Sequence, residues 1–224
     1  MLFKSRPSLA GQRVIITGAS SGIGEALAVE CVRRGMHVGL VARRLDNLIR
    51  LAERLREQAG ASVQIEVAQL DVTDTDQVLP TLTGLADLLG GADVVIAGRC
   101  TDTALALAPM IHAFGWREDQ WDLLAAGTIA GHIIECGAQC TGGNSYVDWE
   151  SIPDMAGIGY PIVEAEADGT FVVTKHAGTG GRVNSHVVKE QLLYELGDPR
   201  SYLTPDCTAD FTSIQLADDG ADRV

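Results

Sequence analysis

Apolar positions in the first hundred residues follow two alternating spacings. Short continuous runs occur at Val14-Ile15-Ile16, Met36–Ala42, Val63–Leu70 and Asp93–Ala97. Runs of this length and β-branched content predict strands buried on both faces. Between them, Gly22–Arg34, Leu45–Gln58 and Asp76–Leu89 read as helices. The second carries Leu45, Leu48, Leu51 and Leu55 on one stripe and stops at Gly60, and the third holds Pro80 near its start. Strands alternating with helices imply a parallel sheet joined by right-handed crossovers. After Ala97 the pattern changes. Helices are expected over Thr103–Phe114, with Thr101 or Asp102 as N-cap, and over Asp119–Cys136. In the latter, Ala125, Ala126, Gly127, Ala130 and Gly131 mark close packing. Thr141–Gly159 reads as a loop. Tyr160–Glu166 and Thr170–Thr174 read as a hairpin turning at Asp168-Gly169. A short helix over Val187–Leu196, a loop over Pro199–Pro205 and a last strand over Thr208–Leu216 complete the chain.

Nearly half of the 224 residues are hydrophobic, ample for a core, yet no apolar run is long enough to cross a bilayer. Met1–Gln12 carries Lys4, Arg6 and Pro7 without an apolar stretch, so no signal peptide is expected. Five cysteines, without framework spacing, suit a reducing cytoplasm. The net charge of −13 is unevenly placed: residues 1–91 hold ten Lys/Arg against ten Asp/Glu, and residues 92–224 hold seven against twenty. With no basic stripe to neutralise phosphates, nucleic acid is not an expected partner.

The strongest local signal is Thr17-Gly18-Ala19-Ser20-Ser21-Gly22-Ile23-Gly24, set between the first strand and the first helix. Strand, glycine turn and helix are the context a dinucleotide fingerprint needs. Gly18 permits the sharp turn, Gly22 the approach of a pyrophosphate, and Gly24 close seating of the helix on the strand. The N–H groups at the helix start, with Ser20, Ser21 and Ile23 around them, then face the anion. The fold class that follows is α/β: a Rossmann-like parallel sheet of four βα units over residues 1–97, continuing into an α/β segment with a β-hairpin over 98–224.

The glycine turn, Ala42-Arg43-Arg44 and Leu70-Asp71-Val72-Thr73-Asp74 together resemble the cofactor half of a short-chain dehydrogenase/reductase, over about residues 10–97. The resemblance implies that Asp71-Val72 lies against the adenine. At the end of the second strand an acidic residue would select NAD through the ribose 2′-OH, whereas arginine suits a 2′-phosphate. Arg43, with Arg44, therefore favours NADP over NAD; solvated loop cations are the alternative. The resemblance also implies an Asn-Ala-Gly after strand four, a Ser, and a Tyr-x-x-x-Lys pair. Strand four instead runs Val95-Ile96-Ala97-Gly98-Arg99. None of Tyr146, Tyr160, Tyr194 and Tyr202 is followed by Lys four residues later, and the nearest spacing, Phe171 to Lys175, lacks a hydroxyl. The reductase machinery is expected to be absent.

From Gly91 onward the chain resembles the acyclic terpene utilisation AtuA-like family. The stretches that carry this are Ala97-Gly98-Arg99-Cys100-Thr101-Asp102, Ala126-Gly127-Thr128, Cys140-Thr141-Gly142-Gly143-Asn144, Asp148–Asp154, Gly159–Glu164 and Gly178–Gly181. The match runs to about residue 216 and leaves out that family's N-terminal portion. The two resemblances meet within Gly91–Gly98, as a fusion at a shared strand would.

Candidate chemistry in this half is thin. Arg99, Thr101 and Asp102 follow strand four, where open parallel sheets bind ligands, though a helix cap and a surface ion pair use the same residues. His132, Cys136 and Cys140 recur at spacing four, but Gly137 interrupts the helix and no fourth zinc ligand is evident. Cys136 or Cys140, with His132 as base, offers a nucleophile only if the thiol pKa falls; inert buried thiols are the alternative. Asp148, Glu150 and Asp154 read as paired carboxylates or as a solvated loop. Gly178-Thr179-Gly180-Gly181 reads as an anion cradle or as an ordinary loop. Catalytic residues thus stay unassigned, with Asp102, Cys136 and His132 as weak candidates and no metal expected. Three functions stay open: a dinucleotide-binding protein without reductase chemistry; an enzyme of acyclic terpene or acyl-CoA breakdown, as the AtuA-like resemblance implies; and an inactive fusion. A half-sheet leaves an edge that homo-oligomerisation would cover.

Overall fold

The computed structural model describes residues 8–224, so most of the stretch read for a leader lies outside the described residues. The chain folds as two compact units, Met1–Arg99 and Cys100–Val224.

In the first unit, β1 (Arg13–Thr17), α1 (Gly22–Arg33), β2 (His37–Ala42), α2 (Leu45–Ala59), β3 (Ile65–Gln69), α3 (Thr75–Leu89) and β4 (Val94–Ile96) alternate as the pattern requires. The strands form one parallel sheet in the order β3-β2-β1-β4, with Val14 level with Val38 on one side and Val94 on the other. The two-residue period of β1 explains its burial on both faces. Val14 and Ile16 join Val38 and Leu40 under Ala28 and Val32 of α1 and Leu48, Leu51 and Leu55 of α2. Ile15 points the other way, into a cluster with Val41, Leu85 and Leu89. Each fully buried Ile or Leu here contributes about 1.5–3 kcal/mol. Arg13 fastens the start of β1 to the turn before β4 through Asp93, with Nε and Nη2 at 3.0 and 2.8 Å from its oxygens. β4 ends the sheet, and its Val94 and Val95 are exposed.

In the second unit, α4 (Ala104–Phe114) and α5 (Trp121–Ile134) pack against each other. Gly131 makes this possible: a Cβ there would lie 2.4 Å from the Thr103 carbonyl oxygen. Strands β5 (Pro161–Ala165) and β6 (Phe171–Lys175) form the hairpin, antiparallel with Ala165 opposite Phe171. Val224 lies alongside, exchanging both backbone hydrogen bonds with Val173. Helix α6 (Ser185–Leu193) is capped by the Asn184 side chain, which accepts from Val187 N at 2.9 Å. Two short strands, β7 (Tyr202–Leu203) and β8 (Thr208–Ala209), pair antiparallel.

The structure departs from the sequence expectations in this unit. Neither Thr101 nor Asp102 caps α4; Thr103 holds that position without a side-chain cap, and the Thr101 and Asp102 carbonyls accept the first amides. The helix expected to reach Cys136 stops at Ile134, ahead of a left-handed Gly137 and a 3₁₀ turn over Gly137–Thr141. The expected last strand shrinks to two residues because Asp210 Oδ1 accepts from Thr212 N and Oγ1, at 2.8 and 2.6 Å, and folds the chain into a turn. The expected Pro199–Pro205 loop contains β7.

Candidate functional site

In the first unit the glycine turn joins β1 to α1. Gly18 and Gly22 adopt positive φ, at 70° and 59°, a region that carries a steric cost for any side chain. No neighbouring atom lies within 4 Å of the place a Gly22 Cβ would occupy, so the backbone is bare on that side. Gly24 differs: its Cβ would meet the Gly18 carbonyl oxygen at 2.4 Å, so glycine is what lets α1 seat against the turn. Ser21 takes the N-cap position but makes no side-chain cap bond. The first amides of the helix therefore keep their donors directed outward, at the positive end of the helix dipole.

Three strands, β1, β2 and β3, end beside this turn. Gly18, Ser20, Ser21, Arg43, Arg44, Asp71, Val72 and Thr73 line one cleft of about 430 Å³. Gly22, Ile23 and Gly24 open α1 next to it, with the Ile23 side chain in solvent. Arg44 Nη2 donates to Ser20 Oγ at 3.1 Å and to Ser21 Oγ at 2.7 Å, so its guanidinium lies over the turn. Arg43 stands 3.9 Å from Asp71 and is largely exposed. Thr73 donates to Asp71 Oδ1 through its amide at 3.1 Å and its hydroxyl at 2.9 Å. These bonds, ahead of the Arg43 charge, hold the Asp71 carboxyl below its usual range. Gln69 Nε2 donates to the Arg43 carbonyl at 2.8 Å and ties the end of β3 to the loop after β2. The cleft so combines exposed amides, two guanidinium groups and one ionised carboxylate.

The second unit brings Asp102, His132 and Cys136 into one neighbourhood and adds residues that the linear sequence left unconnected. His132 is buried, and its ring packs edge-on against Tyr202 at 5.3 Å and Phe211 at 5.4 Å between centroids. Burial holds its pKa below the ordinary value. Glu135, one turn further on, has Oε1 3.4 Å from His132 Nδ1. Burial, with the Asp102 and Glu195 charges adding to it, pushes this carboxyl up to about 7. Burial also raises the Cys136 thiol, partly offset by the Gln191 carboxamide. Cys140 is fully buried and pushed up to about 12, which removes it as a nucleophile. Among the described residues no three His, Cys, Asp or Glu side chains gather as a metal-holding group.

Two further candidates are used structurally. The amides of Thr179, Gly180 and Gly181 donate to the carbonyls of His176, Gly157 and Pro153, so this loop cannot cradle an anion through them. Asp148 is engaged by Ser151 and Arg182, while Asp154 accepts from Gly157 N at 3.1 Å, so these two acids are held by different partners rather than by each other. Phe171 and Lys175 both lie on β6, where the ammonium donates to Thr179 O at 2.9 Å and pairs with Asp222 at 3.2 Å.

With both neighbourhoods described, comparison with known proteins places the chain. The model of the acyclic terpene utilisation family protein AtuA matches residues 79–224, well over half of the chain. The chain belongs to the AtuA family. The short chain dehydrogenase model matches residues 12–111, overlapping the first match. Curated relatives match shorter parts of the chain. Glycine betaine reductase of Emericella nidulans is 42% identical over 89 residues, 40% of this chain and 7% of that protein. An uncharacterised oxidoreductase of Mycobacterium tuberculosis is 41% identical over 85 residues, 38% of this chain and 33% of that one. Glucose 1-dehydrogenase of Gluconobacter oxydans is 36% identical over 87 residues, covering 39% and 32%. The chain thus spans a third or less of the length of these relatives. Among solved structures, L-sorbose reductase from Gluconobacter frateurii, complexed with NADPH and L-sorbose, is 34% identical with a TM-score of 0.38, covering 42% of this chain and 36% of that chain.

Proposed function

We propose that this AtuA-family chain binds NADP in the cleft of its first unit and does not carry out short-chain reductase chemistry. One observation carries the reading: the glycine turn, Arg43-Arg44 and Asp71-Val72-Thr73, far apart in sequence, line a single cleft. The pyrophosphate would take the amides of Gly22, Ile23 and Gly24 and the hydroxyls of Ser20 and Ser21. Arg44, which now spends its donors on those hydroxyls, and Arg43 would hold the 2′-phosphate, with Val72 against the adenine. NAD lacks that phosphate and would bind less tightly. None of the four tyrosines is followed by lysine at the Tyr-x-x-x-Lys spacing of the resembled reductases, which supports binding without that family's proton transfer. The dinucleotide-binding part corresponds to about residues 1–97, and the five free thiols suit a cytoplasmic protein.

A second reading rests on an apolar groove in the second unit. Leu192, Leu193, Leu196, Phe211, Ile214 and Leu216 line about 530 Å³ with Lys189 among them. That lining fits the chain of a terpenoid or acyl-CoA substrate. Thermal unfolding with each ligand separates the readings, since a ligand that binds only the folded state raises the melting temperature. The first reading expects NADP to stabilise more than NAD, with no response to an acyl-CoA. The second expects the reverse, and indifference to all three together with low thermal cooperativity favours an inactive fusion.

A further inference from the structure

The order of the strands fixes which way a dinucleotide would run. The turn after β1, where the pyrophosphate is proposed to lie, has β2 and then β3 on one side and β4 on the other. The adenosine end heads toward Arg43, Arg44 and Val72, on the loops after β2 and β3. The nicotinamide end therefore heads over β4, because ligands of open parallel sheets lie across the carboxyl ends of the strands.

The two directions differ in what the first unit offers. Toward β3 it encloses space. Arg43, Leu70 and Asp71, which line the cleft, also border a second hollow of about 380 Å³ with Gln69, Gln77 and Thr81. The walls there are tied down: Gln69 Nε2 donates to the Arg43 carbonyl, and Thr73 holds Asp71 by two hydrogen bonds. Two guanidinium groups against the one carboxylate of the cleft suit a phosphate monoester. Toward β4 the cleft has no wall, since its lining comes from the loops after β1, β2 and β3 alone. β4 is three residues long, and Val95, Ala97 and Gly98 are exposed. No atom lies within 4 Å of the place a Gly98 Cβ would occupy. Small-molecule sites ordinarily bury most of their ligand. A nicotinamide lying over β4 would keep its hydrogen bonds to water, and exchanging nothing gains nothing.

We propose that the cleft holds only the 2′-phosphoadenosine diphosphate part of NADP and leaves the nicotinamide unheld, so that the chain binds the oxidised and reduced forms alike. It reads the NADP pool without reading its redox state. This rests on the NADP reading of the cleft and adds that recognition ends at the pyrophosphate. The charge of the ring makes the claim testable. The oxidised nicotinamide is a cation and the reduced one is neutral, so a site in contact with the ring would separate the two forms.

Calorimetric titration of the full chain with oxidised NADP, NADPH and ADP-ribose 2′-phosphate, which is NADP without the nicotinamide, tests the proposal. The three should bind within about threefold of one another. Bound NADPH should keep the emission maximum of the free coenzyme, its ring being in water. Arg44→Met should weaken all three by the same factor, at least about tenfold, the worth of a charge-assisted hydrogen bond. Gly98→Val, which puts a branched side chain beside the end of β4, should leave NADP affinity unchanged. NADP or NADPH bound at least about tenfold more tightly than ADP-ribose 2′-phosphate overturns the proposal and leaves the NADP reading standing. So does a loss in Gly98→Val that affects NADP and spares ADP-ribose 2′-phosphate. If none of the three binds, both fall. The comparison of the three ligands on the wild-type chain decides the matter if a variant does not fold.

Discussion

Two glycines of the same turn do different physical work, and single substitutions separate them. A Cβ at Gly24 would sit 2.4 Å from a backbone oxygen that cannot move without displacing the turn. Gly24→Ala should therefore cost about 1–3 kcal/mol, as overpacking does, with a lower midpoint in chemical denaturation; an unchanged midpoint would mean that α1 is not seated on Gly18. Gly22 has open space around it and a φ of 59°. Gly22→Val should fold with a smaller loss, from the strained φ alone, of about 1–2 kcal/mol. Its branched side chain would stand where the pyrophosphate is proposed to lie, so NADP binding, read by calorimetric titration, should vanish. Retained affinity in a folded Gly22→Val protein would rule out that pose.

At the scale of elements, legibility tracks the range of the interactions that define each one. Periodicity alone placed β1 through α3 within a residue or two, because each is bounded by its own signals: Gly22 at the start of α1, Gly60 after α2, Asp74 before α3. The end of the chain was misread because Asp210 turns it locally, and a short polar side chain that folds back on its own backbone leaves no mark on an apolar pattern. The cleft was legible because its three loops sit at the ends of successive strands. The set around Glu135 was not: His132 and Cys136 invited attention by their spacing, but Gln191 and Tyr202 reach them only through the packing of α6 and β7 on α5. One consequence is a pH dependence. Glu135 is raised in the fold to about 7 from an ordinary 4.5, so between those values the folded state binds more protons than the unfolded one. Its contribution to stability is fully present at low pH and is lost as pH rises through about 7. His132 is lowered from 6.5, and its contribution runs the opposite way, lost as pH falls below that value. Glu135→Gln should remove the first effect and leave the second. The variant's melting temperature should then hold steady from pH 6.5 to 8 while that of the wild type declines, and parallel profiles would show that Glu135 titrates normally.

For the whole molecule, charge and core are both partitioned. The acid excess lies entirely in residues 92–224, and each unit has hydrophobic clusters of its own: the sheet with α1–α3 in the first, α4–α6 with the hairpin in the second. The cleft proposed for NADP draws all of its lining from residues of the first unit. A ligand held there stabilises the structure that holds it, by about 2.7 kcal/mol at a hundredfold excess over its dissociation constant, and slows the local opening reactions by which amides exchange. Hydrogen exchange with saturating NADP should therefore show protection of the segments around residues 18–25, 42–44 and 70–73, and none from Cys100 onward. Protection by NADP that extends into the acidic unit would mean that its binding site includes residues beyond the glycine turn and its neighbouring loops, and the assignment of the dinucleotide to the first unit alone would fail.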